Sequence, residues 1–248
     1  MSVLLLALAA GAVVGLALGA LGGGGSVLAV PALIYLLGFT PVAATTASLL
    51  IVTATSVTAL AAHARDGNVR WRTGLLFAAA GIGPAMLGGA LAGRIPAGIL
   101  TAAFALLAGV AALRMLRSGP VAEEPVTVRP GRAAAAGAGL GAVTGVLGVG
   151  GGFLAVPALV NVLGMRMREA VGTSLLVITV NSLAALATRA GAADGVDWAV
   201  VAPFVGAAIL GAWDGKRLAT KLSGRALQRI FALVLLAVAA FMLVDAVA

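Results

Sequence analysis

The chain carries one pattern twice. Residues 15–64 open with GLALGALGGGGSVLAVPALIYLLG and residues 141–190 with GAVTGVLGVGGGFLAVPALVNVLG, and the two stretches align without a gap at an offset of 126 residues. A match of that length at a fixed offset is duplication. Each copy runs from a glycine cluster into Leu-Ala-Val-Pro-Ala-Leu and then into an apolar segment bearing Ser and Thr. Duplicated apolar halves, each interrupted by Gly and Pro at the same place, point to a transporter whose binding site lies where the halves meet.

Composition decides where such halves can live. Apolar residues make up 62% of the chain and charged residues 10%, against roughly 45–50% and 25% in soluble domains. A chain of 248 residues cannot enclose that much apolar surface, so it must face lipid. Most of the apolar runs, from Val3–Leu21 to Leu227–Val247, approach the roughly 20 residues that span hydrocarbon. Val27–Leu37 and Phe153–Leu163 are too short to cross as regular helices. The runs are continuous, which suits helices rather than the alternating strands of a barrel. The expected fold is therefore all-α: a polytopic helical membrane protein of two homologous, inverted repeats with broken or re-entrant Gly-rich segments. The first repeat covers residues 1–117 and the second 133–248. A cytoplasmic linker, residues 118–132, is marked by Gly119, Pro120, Pro125, Pro130 and Gly131. The first apolar run lacks a basic leader and has a counterpart at Ala133–Val149, so it reads as mature structure rather than a signal peptide.

The inversion rests on charge. If each short segment only dips into the membrane and each repeat crosses four times, the sixteen Lys and Arg divide eight to eight between the two faces. If the number of crossings per repeat is odd, fourteen lie on one face and only Arg94 and Arg189 on the other. The positive-inside rule expects the second distribution. Odd parity turns the second repeat upside down and places both termini outside. It leaves the loops around Arg65–Arg72, Arg117–Arg132, Arg166–Arg168 and Lys216–Arg225 in the cytoplasm. The expected location is the cell inner (plasma) membrane, as a multi-pass protein.

Two groups of residues can carry chemistry. Gly11, Gly15 and Gly19, like Gly137, Gly141 and Gly145, are spaced by four and suit close helix packing. The contiguous clusters Gly22–Gly25 and Gly150–Gly152 are different, because each glycine weakens a helix by roughly 1 kcal/mol relative to alanine. Unwound backbone at membrane depth is tolerated where it is buried in protein or lines a wet cavity. The short helices that follow begin with unpaired N–H groups and a positive dipole end, which suits an anion. Hydroxyls recur just beyond, at Thr46 and Ser48 in the first copy and at Thr173 and Ser174 in the second. The expected substrate-binding set is Gly24, Gly25, Ser26, Thr46, Ser48, Gly150, Gly151, Gly152, Thr173 and Ser174. About half of the hydroxyls are expected to bond their own helix instead. His63, the single histidine, aligns with Arg189 at the end of a span and reads as interfacial. Asp214 reads as a loop-edge ion pair with Lys216 and Arg217.

These residues resemble the sulfite exporter (TauE/SafE) family of membrane permeases, which shows two copies of a Gly-rich segment running into Val-Pro and then a Thr-Ser pair. Gly141 to Ser174 is close to that pattern. Gly15 to Ser48 is looser, with Ser26 where the family often has Gly and Thr46-Ala47-Ser48 where it often has Gly-Thr-Ser. The resemblance covers nearly the whole chain and implies export or uptake of sulfite, sulfonates or related small anions.

Other classes fit less well. Gly215-Lys216 lacks the Ser/Thr and upstream glycine of a phosphate-binding loop, so an ion gradient, the membrane potential or the substrate's own gradient must supply the energy. No basic stripe or stacking-aromatic module suggests nucleic acid. One histidine and no cysteine leave no zinc protease and no catalytic or metal site to name, and no cofactor is implied. The alternatives to a transporter are a non-transporting membrane assembly subunit and, behind it, an intramembrane enzyme. The partners expected are a small anionic substrate and the lipid bilayer, with a homo-oligomer left open.

Overall fold

Continuous apolar runs wind into helices in the computed structural model, which describes residues 2–92, 97–117, 129–147, 152–188 and 197–247. Ten α-helices follow one another, and no strand occurs among the described residues: α1 (Ser2–Leu21), α2 (Gly24–Pro31), α3 (Pro41–Arg65), α4 (Trp71–Ala92), α5 (Ala97–Arg117), α6 (Pro130–Leu147), α7 (Gly152–Pro157), α8 (Met167–Thr188), α9 (Trp198–Lys221) and α10 (Gly224–Val247). Val3–Leu21, Ala43–Arg65, Met167–Leu186, Trp198–Lys221 and Gly224–Phe241 are long and apolar enough to cross a membrane. Their large apolar side chains are exposed outward, as at Leu5, Val13, Leu210, Leu233 and Val244, where lipid covers them. The molecule is an all-α, multi-pass membrane protein.

The two short segments break in the same way. Pro31 and Pro157 lack the N–H that an α-helix uses, and each helix widens directly after its proline into a π-helical turn, Ala32–Leu36 and Ala158–Val162. Each turn then stops on a glycine in the left-handed region, Gly38 at φ 70° and Gly164 at φ 69°. Beyond the glycines, the Phe39 N–H donates to the Leu33 carbonyl and the Met165 N–H to the Leu159 carbonyl, both at 3.0 Å. Each bond reaches one residue further than the six-to-one bond that closes an ordinary α-helix, as the wider π-helical turn requires.

The helices pack across the halves. α1 lies along α9 and α4 along α6, while α3 crosses α8, α5 crosses α10 and α2 touches α7. Exchanging α1–α5 with α6–α10 leaves this set of pairs unchanged. The spaced glycines let the backbones meet. A Cβ on Gly11, Gly15 or Gly19 would overlap the carbonyls of Phe204, Ala208 or Ala212, and one on Gly137 or Gly141 would overlap those of Phe77 or Gly81. In α9, Gly211 and Gly215 press back on Ala12 and Leu16.

Ion pairs gather basic loops at one end of the bundle. Arg70, just before α4, pairs with Glu169 of α8 at 2.7 Å, and Arg166 pairs with the same carboxylate. Lys216 of α9 pairs with Asp66, at the end of α3, at 2.8 Å. Arg168 donates to the carbonyls of Thr220 and Leu222. Four crossings per repeat would put Arg65–Arg72 on the face opposite Arg166, Arg168 and Lys216, and contacts this short cannot bridge a bilayer.

Candidate functional site

The turn between α1 and α2 is built on Gly22, whose N–H donates to the Leu18 carbonyl at 2.8 Å. Its φ of 70° suits glycine alone, and a Cβ there would overlap the Ser174 hydroxyl and come within 3.1 Å of the Val171 carbonyl. Gly22, which opens the first glycine cluster, thus sits directly against α8. Gly24 and Gly25 are the first residues of α2, and Ser26 is the third. Gly152 opens α7 and is buried. Gly150 and Gly151 lie outside the described residues.

The four hydroxyl residues are all buried, with Thr173 and Ser174 at 0% exposure. Ser48 donates to the Thr45 carbonyl at 2.9 Å and Ser174 to the Val171 carbonyl at 2.8 Å, so both spend their hydrogens on their own helices. Thr173 differs. Its oxygen accepts from the Arg70 backbone N–H at 3.1 Å, which leaves its hydrogen to donate elsewhere.

These residues form two places rather than one. α3 and α8 cross antiparallel, joined where Thr179 donates to the Ser56 hydroxyl at 3.0 Å. Ser56 lies ten residues beyond Thr46 and Thr179 six beyond Thr173. At about 1.5 Å per residue, the Thr46/Ser48 and Thr173/Ser174 pairs stand roughly 24 Å apart along the bundle. The pairing is also crossed: the glycine turn of the first copy meets hydroxyls of the second. At the Gly22 turn, Thr173 keeps a hydroxyl hydrogen beside a break in the backbone, a donor of the kind that suits a small anion.

Several residues were misread or missed in the sequence. His63 is enclosed by protein in the last turn of its span. It is only 4% exposed, and its Nε2 lies 3.1 Å from the Gly19 carbonyl. The close approach of α1 encloses the ring before the chain reaches Arg65. Its signal was being the single histidine of the chain. Asp214 does pair with Arg217 at 3.4 Å, but both are exposed and Lys216 turns to Asp66 instead. Residues two apart on a helix do not face each other, so Asp214 and Lys216 diverge. Glu169, held between Arg70 and Arg166, had no sequence signal beyond being an acid in the first turn of α8.

Comparison with known proteins covers nearly the whole chain. The family model described as sulfite exporter TauE/SafE matches residues 7–242. A protein of Xylella fastidiosa (strain 9a5c), described as a probable membrane transporter protein, is 38% identical over 97% of this chain and 95% of its own length. A protein of Haemophilus influenzae with the same description is 29% identical over 69% of this chain and 67% of its own. No solved structure matches the chain.

Proposed function

The chain belongs to the sulfite exporter TauE/SafE family and is a membrane transporter, and from that premise we propose that it is a secondary transporter that exports a small oxyanion, sulfite or an organosulfonate. The observation that carries this reading is the Gly22 turn seated on Val171 and Ser174 of the other half. Broken backbone beside buried hydroxyls supplies partial positive charge without a fixed cation, which favours an anion over a neutral solute of the same size. Two inverted repeats, residues 1–117 and 133–248 joined by the linker 118–132, place one such break toward each face. The proposed substrate contacts are Gly24, Gly25, Ser26, Thr173 and Ser174 at the basic end and Thr46 and Ser48 at the other, together with the second copy's glycines Gly150, Gly151 and Gly152. The basic end is cytoplasmic under the positive-inside rule.

Flux into vesicles holding only this protein tests the reading. Labelled sulfite, sulfate, thiosulfate and a sulfonate are offered in turn, with unlabelled competitors. Sulfite or the sulfonate should move and compete, and neutral solutes of the same size should not. No flux of any of the four would leave the assembly-subunit reading in place. Equal competition by neutral solutes would remove the anion.

A further inference from the structure

Beside the Gly22 turn, at the basic end of the bundle, lies a cavity of about 180 Å³ lined by His63, Asp66 and Asn68, by Arg168 and Val171 of α8, and by Lys216 and Thr220 of α9, with Ala219 and Leu227 closing it. Val171 is the residue against which Gly22 is pressed, so the cavity adjoins the broken element. That volume suits an ion of a few heavy atoms.

The His63 ring has one committed nitrogen and one uncommitted. A carbonyl oxygen can only accept, so Nε2 carries the hydrogen that reaches the Gly19 carbonyl. In the neutral ring, Nδ1 is then a bare lone pair. It is buried and has no hydrogen-bond partner among the described residues. A buried polar atom left in this state costs free energy.

The charged groups around the ring come from three elements. Asp66 closes α3, Lys216 approaches from α9 and Arg168 from α8, while α1 brings none. Nearby Glu169 is taken up by Arg70 and Arg166, and Asp214 by Arg217. Lys216 Nζ donates to the Ala62 carbonyl and to Asp66, each at 2.8 Å, which uses two of its three hydrogens. Arg168 reaches the Thr220 and Leu222 carbonyls through one terminal nitrogen. Asp66, Lys216 and Arg168 sum to one positive charge, which one monovalent anion balances.

An oxyanion oxygen offers only lone pairs, and so does Nδ1. Two lone pairs repel unless a proton lies between them. We propose that this cavity is an anion site that takes up one small oxyanion together with one proton, the anion held by Lys216 and Arg168 and the proton shared with His63 Nδ1. The proton is drawn from solvent, or arrives on an oxyanion that is already singly protonated, so an O–H bond is exchanged for the Nδ1–H bond and no heavy-atom bond changes. The inference rests on the oxyanion reading above and adds a coupling proton to it.

The chain has a single histidine, so the unmodified protein tests this without a variant. Protein carrying ¹⁵N-histidine and no histidine tag, in nanodiscs, gives one imidazole to observe. Methanesulfonate, which brings no titratable proton, is added to saturation, and sulfite is added in a parallel sample. The Nδ1 signal should move from the unprotonated to the protonated position as methanesulfonate binds, with one proton taken up per anion in weak buffer. His63→Gln, whose amide can still donate to the Gly19 carbonyl, should bind without that uptake. Lys216→Gln should lose about tenfold to a hundredfold in affinity, the range of a charged hydrogen bond. An Nδ1 signal that stays unprotonated at saturation overturns the proposal. So does binding of neither anion, or uptake undiminished in His63→Gln. Vesicle flux is read separately: flux with an unprotonated Nδ1 removes the proton and keeps the transporter, and protonation without flux does the reverse.

Discussion

The two ends of the α3–α8 pair began as one sequence and are finished differently. At the basic end, α8 opens beneath a carboxylate clamped by Arg70 and Arg166, with Thr173 fastened to the Arg70 backbone and a charged cavity alongside. At the other end, α3 opens on Pro41 behind Thr40, whose hydroxyl accepts from the Ala43 N–H at a long 3.4 Å. Ala43 holds the position that Glu169 holds in α8. The shared scaffold of spaced glycines and broken helices sets where the membrane path can lie, and the charges added to one end give the two doors unequal latches.

Four substitutions probe that inequality. The largest effect belongs to Gly22→Val. A side chain at φ 70° costs about 1–2 kcal/mol, and the overlap with Ser174 and Val171 adds about 1–3 kcal/mol. Gly38→Val shares the backbone conformation but meets nothing within 4 Å, so it should show only the first cost. Denaturant unfolding in detergent compares them, and equal losses would mean that the contact with α8 contributes nothing.

Next is Ser174→Ala, set against Ser48→Ala. If each hydroxyl turns from its own helix to a passing anion, sulfite should compete less well in vesicles by about 1.5–3 kcal/mol at either site. A loss at Ser174 alone would make the basic end the single point of contact. Glu169→Gln then strips two arginines of their carboxylate. Their side chains are 43% exposed, so the loss should be about 1–2 kcal/mol, below the 3–5 kcal/mol of a fully buried pair. It should shrink in high salt. Ala43→Gln should stay within about 0.5 kcal/mol, as a change that removes no interaction. A loss as large as that of Glu169→Gln would erase the asymmetry. Smallest is Thr40→Ala, at about 0.5 kcal/mol, the low end for a cap whose bond is long. Thermal melts of the purified protein resolve it, and a larger loss would mean that the outer door carries a latch of its own.

Much of this architecture was legible because it is local. The Gly-Pro breaks sit in single segments, and the four-residue spacing of Gly11, Gly15 and Gly19 announces a small-residue face whatever it meets. The loop charges announce the basic end. The partner of each face was not legible. Nothing local says that Gly15 meets Ala208, or that the first glycine turn meets the second copy's hydroxyls. His63 was misjudged for the same reason. Its burial depends on α1, more than forty residues upstream, approaching closely enough for the Gly19 carbonyl to reach the ring. Lys216 found Asp66 across 150 residues while a nearer acid stood two positions away.

The backbone contact between α1 and α9 also sets an order of assembly. α1 is among the first helices to leave the ribosome and α9 among the last. The glycine face of α1 is filled by α9, whose carbonyls a Cβ on Gly11, Gly15 or Gly19 would strike. Throughout synthesis that face must wait, exposed to lipid or held by the insertion machinery. α4 meets the same delay for a shorter time, because α6 is made soon after it. A chain cut in the linker would leave α1 without its partner until the missing half arrived, so the two halves can be finished only together.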